Sequence, residues 1–260
     1  PTPIAADGTA LHYPDFGSGA PVVLVHAWSL SSSMWEYRAQ ALLTAGYRCI
    51  ALDRRGHGRS EVPGGDLATT YHLDTPAGDL AGLIEALDLR DAAIVAHSTG
   101  TCEVTRYLVR HGSARVSRVV FLGAMTPTGP ERELFALLRT DRPQWFHDAA
   151  PGYFATGGAV LVSAALVADA VRQILEVLLA MQIAGADPRC RSLSADLKGL
   201  DVPVMLMHGS ADESAPHTIT AARRRIWSLG ARLIHDGAPH GRHVAHEDEV
   251  NAEILHFQAG

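Results

Sequence analysis

Val95-Ala96-His97-Ser98-Thr99-Gly100-Thr101 follows the apolar run Ala92 to Val95, and a helical pattern through Val104, Leu108 and Val109 begins directly after it. A buried strand running into a tight turn of small residues and then a helix is the pattern that holds a serine oxygen above the end of a parallel sheet. The usual pentapeptide is Gly-x-Ser-x-Gly; here Ala96 stands in place of the first glycine. Such a short pattern recurs by chance, so the rest of the chain has to decide between an ordinary turn and a reactive one.

Working outward, the segments on both sides alternate between strand and helix. Pro21 to His26, with Val22-Val23-Leu24-Val25, lacks the polar alternation of a strand wetted on one face and reads as a buried parallel strand. Ala10 to Phe16 reads as an early strand ending at Gly17-Ser18-Gly19, Ser33 to Ala45 as a helix stopped by Gly46, and Tyr47 to Leu52 as a further strand. The turn Asp53 to Ser60 reads as structural, its charges pinning the loop, and Glu61 to Thr70 as a surface loop. Asp79, Leu80, Leu83, Ile84 and Leu87 mark a second helix, and Val116 to Leu122 a strand. This alternation is the signature of an α/β doubly wound, mostly parallel sheet, which binds ligands outside the carboxyl ends of its strands.

From Thr126 to Lys198 the alternation stops and only helical spacing remains, punctuated by Pro130, Pro143, Pro151 and Pro188. The chain therefore reads as a core, residues 1–125 and 199–260, carrying a helical cap insertion at 126–198. After the cap, Pro203 to Met207 and Arg232 to Ile234 read as strands, Thr218 to Leu229 as a helix and Glu247 to Phe257 as the closing helix.

Composition narrows the function. A chain of 260 residues with 47% apolar content can bury a large core, and a formal charge of −6 with scattered arginines offers no stripe for nucleic acid. Cys49, Cys102 and Cys190 are too few and too far apart for a disulfide framework or a cysteine zinc site, which fits a reduced, cytoplasmic setting. No export signal is visible at Pro1-Thr2-Pro3, and the apolar stretch Ala159 to Ala186 is broken by Asp169, Arg172 and Glu176, against a membrane span.

A serine needs a neighbouring base, itself oriented by a third group. Two strand-end loops supply candidates: His208-Gly209-Ser210-Ala211-Asp212, ending in a carboxylate, and Gly237-Ala238-Pro239-His240-Gly241, carrying a histidine. The chain order Ser98, Asp212, His240 is that of the Gly-x-Ser-x-Gly hydrolases. Ser98 is then the candidate nucleophile, His240 the base and Asp212 its orienting acid, with Glu213 as the nearest rival. The backbone N–H groups of Thr99 and Trp28 are the candidate oxyanion donors. Trp28, Trp145, Phe146, Phe154 and Met181 are the candidate pocket walls. His240, His243 and His246 have the spacing His-x-x-His-x-x-His, but they span a loop-to-helix transition without a partner carboxylate motif, so no metal is assigned.

These stretches resemble the α/β-hydrolase-fold proteins of the bacterial arylesterase and cofactor-free haloperoxidase group. The likeness rests on Asp7-Gly8-Thr9, His26-Ala27-Trp28-Ser29, Gly46-Tyr47-Arg48, Asp53 to Ser60, Ala96 to Gly100, His208 to Asp212 and Gly237 to Gly241. The resemblance implies the α/β-hydrolase fold, a triad of Ser98, Asp212 and His240, and esterase activity through an acyl-enzyme. It also implies peracid formation from carboxylic acids and hydrogen peroxide. The expected partner is a small apolar ester or acyl substrate, with no cofactor, and a homo-oligomer stays open. The chain departs from the group at Ala27 and Ala96, where glycine is usual, adding a methyl group beside the oxyanion donors. That keeps a second reading open on the same fold: a cofactor-free oxygenase, lyase or isomerase using His240 as general base. A ligand-binding module is a third.

Overall fold

The computed structural model describes residues 5–125, 131–154, 162–186, 200–217 and 230–260. Among the described residues seven strands form one sheet: β1 (Asp15–Phe16), β2 (Pro21–Val25), β3 (Arg48–Leu52), β4 (Ala92–His97), β5 (Val116–Leu122), β6 (Val204–Gly209) and β7 (Gly230–His235). Their order is β1-β3-β2-β4-β5-β6-β7; β1 runs antiparallel to β3 and all other neighbours are parallel.

The central strands are apolar throughout because both faces are covered. Val23, Val25, Ile94, Ala96, Val119 and Phe121 point to one face, where they meet Leu80, Leu83 and Ile84 of helix α3 (Asp74–Ala86) and Val104 and Leu108 of α4 (Gly100–His111). Their alternate neighbours Val22, Leu24, Ala93, Val95, Val120 and Leu122 point to the other, against Trp35, Leu42 of α1 (Glu36–Thr44), and Val250 and Ile254 near the C-terminus. Period-two alternation thus survives inside runs that look uniformly apolar, because each face has its own helical layer. The register pairs Val25 with both Leu52 and Ala96, His97 with Leu122, and Leu122 with Met207. The strands therefore end level, and the residues that follow them gather along one edge.

Several expectations shift. Only Asp15–Phe16 of the early segment is regular strand; Pro14 has no amide hydrogen to donate, although the Pro14, His12 and Ala10 carbonyls accept from Ala51, Asp53 and Glu61. Residues Leu67–Thr70, read as loop, form a short helix α2, in which the Thr70 hydroxyl bonds the Asp66 carbonyl. Helix α3 starts at Asp74, earlier than its apolar stripe suggests, because Pro76 suits a first turn whose amides have no partners. The helix read at 218–229 lies outside the described residues.

Between β5 and β6 the described residues form three helices, α5 (Glu131–Phe154), α6 (Ala164–Glu176) and α7 (Leu179–Ala186). The first is two helices meeting at Asp141, whose backbone is extended (φ −151°, ψ 80°) and whose carboxylate caps the Gln144 amide at 3.0 Å, so Pro143 falls in a first turn and not in a helix interior. Arg142 fastens the three helices together, donating to the Val177 carbonyl (2.7 Å), the Leu175 carbonyl (3.0 Å) and the Gln182 side chain (3.1 Å). The insertion reaches the core through Trp28 Nε1, which donates to the Gln182 carbonyl at 3.0 Å, and through the Gly241 amide, which donates to the Tyr153 carbonyl at 2.7 Å. Two short segments close the chain, α8 (Arg242–Ala245) and α9 (Glu247–Ala259). Among the described residues, no helix is long and apolar enough to cross a membrane.

The turn Asp53 to Ser60 is held by charge, as its composition suggests. The Asp53 carboxylate accepts from the Ser32 and Arg59 amides (2.6 and 3.0 Å). Arg54 donates to Glu103 at 2.8 Å, and Arg55 lies between Asp79 and Asp7, each at 2.6 Å. Breaking such a buried pair by removing one partner costs about 3–5 kcal/mol.

Four histidines near this edge, His26, His57, His97 and His243, are almost completely buried. Burial, reinforced by neighbouring positive charge, pushes His57 and His97 down to about 3 and His26 and His243 well below their ordinary value. Their folded pKa values lie below the unfolded one of about 6.5, so the neutral rings contribute stability that is complete above that value. It is lost as the pH falls towards about 3, since the unfolded chain takes up protons that the folded one refuses. His57 and His97 each account for about 2 kcal/mol between about pH 7.5 and pH 5, and His26 and His243 act in the same direction. Urea titrations at the two pH values should therefore show a loss of several kcal/mol on acidification. Equal stability at both would show that protons reach these rings in the folded state.

Candidate active site

Ser98 sits where β4 gives way to α4, with φ at +54°, a left-handed conformation uncommon for a residue with a side chain. The surroundings fix it there: its amide donates to the Leu122 carbonyl of β5 at 2.9 Å, and its carbonyl accepts from the Thr101 amide (3.1 Å) and hydroxyl (2.6 Å). Gly100 makes the turn this tight. A Cβ there would come within 2.7 Å of the Val25 carbonyl oxygen and 2.8 Å of that of His26, so a larger residue would lift α4 off the end of β2.

The loops after β6 and β7 bring Asp212 and His240 to this serine. His240 Nε2 lies 2.9 Å from Ser98 Oγ and His240 Nδ1 2.7 Å from Asp212 Oδ2; all three residues are at most 5% exposed. Burial pushes the Asp212 carboxyl up, but hydrogen bonds from His208, His240 and the Ala215 amide outweigh it and hold it well below the usual carboxylate range. An ionised carboxylate only accepts, so His240 Nδ1 carries the hydrogen, Nε2 carries the lone pair, and the serine hydroxyl donates to it. Glu213, the rival acid, is exposed. The end of β5 has no room for an acid: at Gly123, with φ at +53°, an added Cβ would stand 3.1 Å from the His240 ring and 3.4 Å from Asp212 Oδ2.

A second layer holds these groups. His208 Nε2 donates to Asp212 Oδ2 at 3.2 Å and to the Ala215 carbonyl, while the Ala215 amide donates to Asp212 Oδ1 at 2.7 Å. His97 Nε2 donates to the His240 carbonyl at 3.0 Å, with the two ring centres 4.7 Å apart. Tyr153 meets the His240 ring edge-on at 5.2 Å. The sequence singles out neither His208 nor Tyr153 as part of this layer. His208 carries a signal, its place four residues before Asp212 in one strand-end loop, whereas Tyr153 comes from the cap and carries none.

No described residue accepts a hydrogen bond from the Thr99 or Trp28 amide. His26 braces that loop, its Nδ1 donating to the Ala27 carbonyl (2.7 Å) and its Nε2 accepting from the Arg54 amide (2.9 Å). Ala27 and Ala96 are buried within the two core layers, and neither has a positive φ. Their methyl groups are therefore accommodated without backbone strain.

Of the residues assigned to the pocket wall, Trp28 packs on Phe146 (5.8 Å between ring centres), and Phe146 on Trp145 (4.7 Å), which is only half-buried. Met181 is buried against Tyr71 and Val177. Phe154 is buried beside Tyr153 and Gly241, on the His240 side. His243 packs against His97 and Trp35, and His246 Nδ1 lies 3.5 Å from Glu249, so the three spaced histidines serve different neighbours. Among the described residues, no group of three or more histidine, cysteine or acidic side chains is placed to hold a metal ion.

Comparison with known proteins agrees with this architecture. Residues 20–192 match the alpha/beta hydrolase fold family. The chain is 36% identical over 270 residues to a non-heme haloperoxidase of Rhodococcus erythropolis, covering 97% of each. It is 31% identical over 277 residues to a bifunctional esterase/perhydrolase of Acinetobacter calcoaceticus, covering 96% of each. An esterase structure from Exiguobacterium antarcticum superposes with a TM-score of 0.92 at 25% identity, over 100% of this chain and 99% of that one. With this sheet, this turn at Ser98 and these full-length likenesses, the chain belongs to the alpha/beta hydrolase fold family and is a hydrolase-family enzyme close to the non-heme haloperoxidases and esterase/perhydrolases.

Proposed function

We propose that the protein is a serine hydrolase that cleaves small to medium carboxylic esters, and lactones, through an acyl-enzyme. The continuous line of hydrogen bonds from Ser98 Oγ through His240 to Asp212 carries this reading, at 2.9 and 2.7 Å. In the first half-reaction Ser98 Oγ attacks the ester carbonyl carbon while His240 Nε2 takes its proton, and Asp212 stabilises the charged imidazole through Nδ1. The Thr99 and Trp28 amides receive the oxyanion. His240 then returns the proton to the leaving alkoxide, the C–O bond breaks, and the acyl group remains on Ser98. In the second half-reaction water, with His240 again as base, releases the acid and restores the serine. Hydrogen peroxide in place of water releases a peracid and the same free serine, which accords with the name of the Acinetobacter relative.

In this reading residues 1–125 and 199–260 supply the chemistry, and the insertion at 126–198 shapes what enters. Trp28, Phe146 and Met181 wall the side facing the oxyanion donors, Phe154 the side facing His240, and Trp145 backs Phe146.

Mass spectrometry of the intact protein after brief exposure to p-nitrophenyl esters should show one added acyl group on Ser98. Ser98→Ala should abolish the adduct and lower turnover about 10⁶-fold. Most of the activity surviving in that variant would reject the reading in favour of general-base chemistry by His240 alone. Asp212→Asn should lower kcat about 10⁴-fold by leaving His240 in the wrong tautomer. Because the Asp212 pKa is depressed on folding, the stability it contributes is complete above the ordinary carboxylate range and is lost as the pH falls through its folded value. The urea-measured gap between wild type and Asp212→Asn should accordingly narrow from about pH 6 to about pH 3.

A further inference from the structure

The peptide group that joins His240 to Gly241 is held at both ends. Its carbonyl accepts from His97 Nε2 at 3.0 Å, and its N–H donates to the Tyr153 carbonyl at 2.7 Å. The two holders come from different parts of the chain. His97 is the last residue of β4, next to Ser98, whereas Tyr153 lies in the last turn of α5, in the insertion. A planar peptide pinned through both its donor and its acceptor loses the rotation that would swing the side chain before it. The rings of the same two residues pack on the imidazole, His97 at 4.7 Å and Tyr153 edge-on at 5.2 Å between centres.

Gly241 shows how closely α5 approaches. Its φ of −76° asks for no glycine, yet a Cβ there would come within 2.8 Å of ring carbons of both Tyr153 and Phe154. The missing side chain therefore serves the contact with the insertion. The Gly241 carbonyl in turn accepts from the Val244 and Ala245 amides at 3.0 and 3.2 Å, which ties the same loop to α8. The Tyr153 hydroxyl takes no part: it is buried without a hydrogen-bond partner, and burial beside the Asp212 charge pushes it up, so it stays protonated. An unpaired buried hydroxyl costs stability. What the position uses is the ring and the backbone.

We propose that Tyr153 is a positioning residue for the base, so that the insertion, besides shaping what enters, sets where His240 stands, 2.9 Å from Ser98 Oγ. The role rests on the serine-hydrolase reading above. Tyr153→Ala should lower kcat about tenfold, the scale of one lost aromatic contact, and leave KM unchanged, equally for p-nitrophenyl acetate and p-nitrophenyl hexanoate. Tyr153→Phe, which keeps the ring and removes the unpaired hydroxyl, should retain the wild-type kcat. Gly241→Ala, which pushes the rings aside without altering them, should reproduce the fall, and it replaces Tyr153→Ala if that variant does not fold. A loss that appears in KM or grows with acyl length would make Tyr153 a pocket wall only, and a loss that Tyr153→Phe shares would assign the effect to the hydroxyl; either overturns the proposal. NMR reads the base without turnover. The Nδ1 proton that His240 shares with Asp212 should give a sharp low-field signal in the wild type and in Tyr153→Phe, and should broaden by exchange with water in Tyr153→Ala. That broadening, in a protein that turns over no ester, supports the positioning role while the hydrolase reading falls alone. A signal equally sharp in all three proteins overturns the positioning role; with ester turnover the hydrolase reading stands, and without it both fall.

Discussion

The approach of α4 to the end of β2, across a glycine that carries no side chain, is the contact on which the site depends. At Gly100 the helix start lies against the Val25 and His26 carbonyls with no space for a methyl group. That contact sets the distance between the turn carrying Ser98 and the end of β2, from which the loop carrying Trp28 departs. The positive φ at Ser98 follows, because a chain leaving β4 must reverse within one residue to enter a helix that close to β2. The parallel register then brings the loops after β6 and β7 level with it.

Much of the core was legible because its physics is local. Val22 to Val25 and Ala92 to Val95 are apolar at every position, which only a strand covered on both faces requires, and the strand-end placement of Ser98, Asp212 and His240 follows from chain order and sheet rules. The failures were local as well. Pro14 cuts the early strand short, and the punctuation marked at Pro143 falls two residues earlier, at Asp141, which supplies the cap for the helix that follows. The helical insertion was legible as a change of period, but not which of its side chains face the serine. Trp28 packs on Phe146 and Met181 on Tyr71 and Val177, whereas Phe154 packs elsewhere and Trp145 only supports Phe146. That partition depends on how a helix rotates when it lands on another layer, and no spacing in the sequence records it.

The charged turn pins the loop, yet the partners of its arginines on the helices lie 24 and 49 residues further along the chain. Arg54 is explained by Glu103 on α4 and Arg55 by Asp79 on α3. Nothing in the order of residues links these positions, since they meet only after both helices pack on the same face of the sheet.

Trp28 joins two parts of the molecule. Its backbone belongs to the loop after β2, and its indole is tied to the Gln182 carbonyl of α7, one of the described helices of the insertion that Arg142 binds together. The described helices of the insertion and the loop after β2 are thus joined through one indole, so a shift of α7 that keeps this bond draws the Trp28 loop with it, whereas trimming Met181 or Phe146 leaves the bond in place.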